Sequence, residues 1–167
     1  MKKIILVFAF LGTIAFNANA QDQSTLIAEN AIGLRLGDND GFGTEVSYQR
    51  AVGSNNNRLE FDLGYRDNRN FNAFRLTGLY HWVWNIDGGF NWYVGPGLGV
   101  AQVNFEDDFG DFDDDSETYF YAAGDIGIEY NFDFPLLLSL DFRPEFGFGD
   151  FNDDVDFDIA LGVRYQF

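Results

Sequence analysis

Apolar and polar residues alternate strictly along the last thirteen residues of the chain, Val155 to Phe167. Every odd position there is apolar, and every even position is polar or small. A period of two predicts a β-strand with one apolar face and one polar face. Such a strand is long enough to cross about 25 Å of hydrocarbon at a tilt, as the strands of membrane barrels do.

The same alternation recurs upstream, so the sequence predicts eight strands in total. The other seven are Asn30–Gly37, Gly43–Val52, Arg58–Arg66, Ala73–Trp84, Phe90–Phe105, Thr118–Tyr130 and Leu136–Phe148. Short turns at 53–57, 85–89 and 131–135 alternate with loops at 38–42, 67–72, 106–117 and 149–154. An even strand number with short turns at one end and longer loops at the other predicts an all-β, eight-stranded, antiparallel, up-and-down transmembrane β-barrel. Both termini are then expected on the periplasmic side.

The direction in which each face points distinguishes a membrane barrel from its rival, a soluble periplasmic barrel that binds a small hydrophobic ligand. An eight-stranded barrel holds a single layer of interior side chains, which roughly thirty large apolar residues would overfill. We therefore expect the apolar face to meet lipid and the charged face to line the lumen. The predicted lumen charges are Arg35, Glu45, Glu60, Asp62, Arg75, Asp125, Glu129, Asp141, Arg143, Glu145 and Arg164.

These lumen charges have two interpretations: a polar channel for protons or ions, or a paired network that plugs the barrel. We favour the plug, because unpaired buried charges are costly and both signs are present. We expect the inward glycines Gly95, Gly97 and Gly99 to make room for arginine or tyrosine side chains from other strands. Pro96 and Pro144 lie inside predicted strands, where we expect bulges or strand ends.

The first twenty residues have the features of a cleaved secretory signal peptide: Lys2 and Lys3, an apolar stretch, and Ala18-Asn19-Ala20. We expect residues 21–29 to form a short periplasmic tail and residues 30–167 to form the barrel. The sequence contains no cysteine, so disulfides and thiolate metal sites are excluded. Without the signal peptide, 8 arginines, no lysine and 27 acidic residues remain, a net charge of 8 − 27 = −19. This charge argues against nucleic acid as a partner.

Two groups of residues are candidates for specific chemistry. Asp111, Asp113, Asp115 and Glu117 alternate in the acidic segment 106–117 and could bind Ca²⁺ weakly, although the segment lacks the glycine and spacing of an EF-hand. A solvated loop is the simpler interpretation, and Phe105, Phe109 and Phe112 also suit a protein-contact surface. His81 shares the inward parity of Ser47 and Ser139, as a Ser–His–acid hydrolase would require, but we expect a hydrogen-bonded structural histidine. No catalysis and no cofactor are predicted.

The signal peptide, the eight alternating segments, the terminal Tyr165-Gln166-Phe167 and the glycine-rich run Tyr93 to Val100 resemble the small outer-membrane β-barrels of the OmpA/OmpX type. The resemblance implies a bacterial outer-membrane location, with contacts to membrane lipid and lipopolysaccharide. It also implies that Tyr165 and Phe167 belong to a signal read by the barrel assembly machinery. The expected role is structural or cell-surface interaction, with an extracellular protein as a candidate partner of the acidic loops. The alternatives are a narrow porin-like channel and a lipid-A-modifying enzyme.

Overall fold

The computed structural model is a closed barrel of eight antiparallel strands, each paired with its neighbours in chain order. It describes residues 27–37, 43–53, 55–68, 71–105, 116–148 and 155–167. The strands are β1 (Asn30–Gly37), β2 (Thr44–Val52), β3 (Asn57–Asn68), β4 (Phe71–Asp87), β5 (Phe90–Phe105), β6 (Ser116–Asn131), β7 (Leu136–Phe148) and β8 (Val155–Gln166). β1 pairs with β8 and closes the barrel. The predicted fold class is confirmed.

Strand bounds differ from the predicted ones by a few residues, most of all in β4. This strand extends to Asp87, so that Gly88 and Gly89 alone connect it to β5. Gly88 has a φ of 52°, a conformation that glycine adopts without the steric penalty of a β-carbon. The β4–β5 register shifts between Asn85 and Asp87, which places a β-bulge just before this turn.

Neither internal proline ends a strand or shifts its register, so the expectation of bulges or strand ends was wrong. On β4–β5 the pairs Leu79↔Gly97 and Trp82↔Val94 keep one register on the two sides of Pro96. On β6–β7 the pairs Ala123↔Glu145 and Ile126↔Phe142 do the same around Pro144. The two ladders are instead interrupted at the proline, because proline has no N–H to donate.

The alternation along each strand separates an apolar exterior from a polar interior. On β1, Leu34 is 40% exposed while the adjacent Arg35 is fully buried at 0%. On β4, Leu76 is 40% exposed while Thr77 is buried at 0%. No helix in the described part of the chain is long and apolar enough to span a membrane.

Large interior side chains lie against glycines on neighbouring strands. Tyr121 occupies the space that a β-carbon on Gly99 would need, which confirms the prediction for that glycine. The prediction was wrong for the other two inward glycines. A β-carbon at Gly97 would lie 2.5 Å from Cδ2 of Leu79, and one at Gly95 would overlap the backbone carbonyl oxygen of Tyr80.

Candidate functional site: the charged lumen

The arginines of the lumen lie on different strands and reach carboxylates on others. We call the end of the barrel with the connections 53–56, 88–89 and 132–135 the turn end, and the opposite end the loop end. Near the loop end, Arg35 of β1 contacts three carboxylates. Its Nη1 donates to Glu45 Oε2 at 2.9 Å and to Asp158 Oδ2 at 2.6 Å, and its Nη2 donates to Asp141 Oδ1 at 2.5 Å. One guanidinium thus joins β1, β2, β7 and β8.

Arg75 of β4 makes a bidentate contact with Glu145 of β7. Its Nη1 and Nη2 donate to the two carboxylate oxygens at 2.9 and 2.8 Å. Its Nε donates to Glu45 at 3.1 Å, so Glu45 lies between Arg75 and Arg35. Bidentate arginine–carboxylate pairs fix geometry as well as charge, and this one spans the loop end of the lumen.

Arg143 of β7 lies in the middle of the lumen and is fully buried. Its Nη2 donates to Asp62 Oδ2 at 2.6 Å and lies 3.8 Å from Asp125 Oδ2. Its Nη1 lies 3.5 Å from Glu45 Oε2. β3 and β7 are four strands apart in a ring of eight, so the contact between Arg143 and Asp62 crosses the full width of the barrel.

Arg164 of β8 lies towards the turn end, where it joins two hydroxyls and one carboxylate. It donates to Ser47 Oγ at 2.9 Å, to Ser139 Oγ at 2.7 Å and to Glu60 Oε1 at 2.5 Å. Both serine hydroxyls are therefore held by Arg164. Gln49 donates to the other oxygen of Glu60 at 2.6 Å.

His81 is completely buried between a guanidinium and a carboxylate. Arg58 Nε donates to its Nδ1 at 3.3 Å, so that nitrogen is an acceptor and the imidazole proton is on Nε2. Nε2 lies 2.9 Å from Asp125 Oδ2 but misses the alignment of a hydrogen bond. Arg58 also pairs with Glu129 at 2.6 Å. Within the described residues, the hydrogen bonds of the inward serines run to Arg164 and Glu60, and no Ser–His–acid arrangement is present.

All eleven residues predicted to line the lumen lie inside the barrel, and each has at least one ion-pair partner there. Sequence reasoning left out Arg58 and Asp158, which are equally buried. The alternation could have identified them, because Arg58 lies on the same face of its strand as Glu60, and Asp158 lies on the same face of its strand as Arg164. The buried lumen groups of the described chain comprise five arginines and eight acidic residues.

Large buried side chains from several strands lie across the lumen. Its largest fully buried side chains include Arg35, Arg143, Arg164, Tyr93 and Leu137. A cavity of about 10 Å³ near the turn end has room for one water molecule, between Ala31, Gln49, Arg58, Glu129 and Leu137 among others. Paired guanidinium and carboxylate groups hold one another in place here because each would be costly to leave unpaired.

The other predicted site residues belong to the acidic segment 106–117 and to the C-terminus. Asp111, Asp113 and Asp115 lie outside the described residues, and Glu117 is in β6. Among the described residues, no group of three or more histidine, cysteine or acidic side chains could hold a metal ion. Tyr165 and Phe167 lie beside the seam that closes the barrel, where Phe167 and Asn30 exchange backbone hydrogen bonds of 2.9 and 3.0 Å.

Known structures have the same architecture. The N-terminal β-barrel domain of Pseudomonas aeruginosa OprF superimposes with a TM-score of 0.61 at 17% identity, covering 83% of this chain and 96% of that one. This chain has the fold of the small outer-membrane β-barrels. Neisserial surface protein A gives a TM-score of 0.57 at 14% identity, with 83% of this chain and 94% of that chain covered. Ail, the attachment invasion locus protein of Yersinia pestis, gives 0.57 at 17% identity, with 83% and 96% covered.

The likeness is one of fold, since these barrels share fewer than one residue in five with this chain. The sequence matches no protein-family model and no curated protein. The sidedness of the wall and the content of the lumen must therefore be interpreted from the residues of this barrel.

Proposed function

We propose that this protein is an integral protein of the bacterial outer membrane with a structural or cell-surface interaction role, and that its barrel does not conduct. The observation that carries the proposal is the contrast between the outer and inner surfaces of the barrel. Large apolar side chains are exposed on the outside of all eight strands, while charged side chains are buried and paired inside. In water this arrangement would expose a continuous apolar surface, whereas a bilayer covers it.

Aromatic residues support a membrane position for the barrel. Trp82, Trp84 and Trp92 are between 37% and 43% exposed on the outer surface towards the turn end. Tyr65, Phe120 and Phe148 are about 60% exposed towards the loop end. Aromatic side chains favour the two membrane–water interfaces, so these two groups fit the two borders of the hydrocarbon layer.

Heat-modifiable gel mobility combined with cell fractionation tests the membrane assignment. The proposal expects the chain in the outer-membrane fraction, with an unheated band that migrates differently from the heated one. Recovery in the soluble periplasm would instead identify a soluble barrel.

The absence of conduction is proposed because arginine–carboxylate pairs such as Arg143–Asp62 cross the lumen. Planar-bilayer recording of the purified barrel should give no stable single-channel steps. Reproducible steps would favour the narrow porin-like channel.

We also propose that the barrel performs no catalysis. Mass spectrometry of lipid A with and without the gene tests this, and a change in acyl content that depends on His81 would contradict it.

We propose that the acidic loops are the interacting part of the protein, with both termini on the periplasmic side. The support is the charge of the sequence: segment 106–117 contains eight acidic residues and no basic one. Such a surface would repel lipopolysaccharide unless divalent cations bridged the two, and it would attract a cationic protein at low salt. Under this proposal Tyr165 and Phe167 serve as the signal for the assembly machinery, after a cleaved signal peptide has directed the chain to the periplasm.

A further inference from the structure

The two internal prolines lie in a single row that runs around part of the wall. Pro96 on β5 is paired with Gly124 on β6. The β4–β5 register places Pro96 opposite Tyr80, and the β6–β7 register places Pro144 opposite Gly124. The row therefore runs Tyr80, Pro96, Gly124, Pro144 across four consecutive strands, and the β4–β5 and β6–β7 ladders are both interrupted in it.

Each proline leaves a backbone carbonyl group without its partner in the ladder. Pro96 has no N–H to donate to the carbonyl of Tyr80, and Pro144 has none to donate to the carbonyl of Gly124. The Tyr80 oxygen occupies the space of the missing side chain of Gly95, which is a buried, inward position. The carbonyl of Tyr80 thus leans towards the lumen. A backbone carbonyl inside a membrane wall needs another donor, because lipid offers none.

Unpartnered side-chain atoms lie on the inner side of the same row. The residues next to the row are His81, Asp125 and Arg143, all buried. His81 Nε2, Asp125 Oδ1 and Arg143 Nε have no hydrogen-bond partner, and neither does Oδ1 of Asp62, the residue that pairs with Arg143. Each of these four side chains lies within 4 Å of the next, through contacts of 2.9 Å (His81–Asp125), 3.8 Å (Asp125–Arg143) and 2.6 Å (Arg143–Asp62).

The unpartnered atoms include both donors and acceptors, which identifies the chemistry of the missing partner. A metal ion or another cation would satisfy the carboxylate oxygens but not the N–H groups of Arg143 and His81. An anion would satisfy only the N–H groups. Water does both, since it accepts and donates, and buried waters make about three hydrogen bonds to such groups.

We propose that this row is a binding site for a small cluster of internal water molecules. The waters accept from Arg143 Nε and His81 Nε2, donate to Asp125 Oδ1 and Asp62 Oδ1, and reach the Tyr80 carbonyl past Gly95. Under this proposal, water inside the lumen contacts the backbone in the middle of β4 to β7. The backbone of β1 and β2 at the same height needs no such water, because the ladder between these two strands is uninterrupted. The inference concerns the wall and its bound water, and it is independent of conduction and of the role of the loops.

Nuclear magnetic resonance of the folded barrel in lipid nanodiscs tests the site directly. His81 is the single histidine of the chain, so selective ¹⁵N-histidine labelling gives the signals of one imidazole ring. The proposal expects a magnetisation-transfer cross-peak between the His81 Nε2–H proton and a proton at the water frequency. Because the ring of Tyr93 lies 4.7 Å from that of His81, its hydroxyl could relay such a signal. The cross-peak should therefore persist in Tyr93→Phe, and its loss in that variant, or its absence in the unmodified barrel, would overturn the proposal.

Hydrogen exchange provides a second, independent measurement. Backbone amides in 78–83 and 122–127 should exchange at least tenfold faster than those in 32–36 and 44–48. Pro96→Val restores a donor opposite Tyr80 and should slow exchange in 78–83, whereas the outward Val94→Leu on the same strand should not. Equal protection of all four segments, or no slowing in a Pro96→Val barrel that still shows heat-modifiable mobility, would contradict the proposal.

Discussion

Replacing Arg143 by methionine should destabilise the barrel more than any substitution of an exposed charge. The guanidinium is fully buried and lies 2.6, 3.5 and 3.8 Å from oxygens of Asp62, Glu45 and Asp125. Glu45 keeps Arg35 and Arg75 as partners in the variant, and Asp125 keeps only its 2.9 Å contact with His81 Nε2. Asp62 loses its ion pair while it stays buried at 0% exposure. Removing one partner of a buried pair costs about 3–5 kcal/mol, because a charge is left without compensation in a medium of low polarity.

This free energy of unfolding can be measured by urea titration of the barrel refolded into lipid vesicles, with tryptophan fluorescence and gel mobility as probes. A loss of 3–5 kcal/mol lowers the folding equilibrium constant roughly 10²- to 10⁴-fold. Arg50→Met is the matched control, because Arg50 pairs with Glu29 at 2.9 Å while the two side chains are 47% and 66% exposed. That pair should contribute about 0–1 kcal/mol.

A double variant separates the charge of Arg143 from its packing. Asp62→Asn removes the uncompensated charge, so Arg143→Met combined with Asp62→Asn should recover part of the lost stability. If Arg143→Met loses less than about 1 kcal/mol, or no more than Arg50→Met, then the lumen is solvated enough to screen its charges. The interpretation of the network as a paired plug would then be wrong.

Three further outcomes are expected. Gly33→Ala should cost about 1–3 kcal/mol, because its β-carbon would overlap the backbone carbonyl of Val163. A β-carbon at Gly78 would have no atom closer than 3.7 Å, so Gly78→Ala should stay within about 0.5 kcal/mol; urea titration compares the two variants. Deleting Phe167 should reduce the heat-modifiable barrel recovered from outer membranes while leaving refolding in vitro largely intact; an equal loss in both would indicate a purely structural role. Calorimetric titration with Ca²⁺ should give weak binding heat that disappears when 106–117 is deleted, and heat that survives the deletion would contradict a cation site there.

Most of the fold could be predicted from local pattern because a β-strand exposes alternate residues to two environments. The strict alternation of Val155 to Phe167 and its counterparts upstream predicted the number of strands, and the limited room inside an eight-stranded barrel predicted which face points inward. The same parity placed Arg35, Glu60 and Arg143 in the lumen without any knowledge of their partners. It would also have included Arg58 and Asp158, had the alternation been applied to every residue of β3 and β8.

The prolines show where such a local pattern was not sufficient. A strand that contains Pro96 was expected to bulge or end, because proline removes one hydrogen bond of the ladder. The structure keeps the strand and its register, since β5 remains paired with β6 through the proline. Only the alignment of four strands shows that Pro96 and Pro144 lie in one row.

The sequence by itself determined the strands, their two faces and the set of charges that enter the lumen, because each depends on a period of two along the chain. The tertiary structure alone decided which arginine meets which carboxylate. Arg143 and Asp62 are 81 residues apart, and Arg35 and Asp141 are 106 apart. Their contacts depend on barrel closure and on the register of all eight strands, which place opposite walls within reach of one side chain. Local alternation carries no information about which residues of opposite walls come into contact.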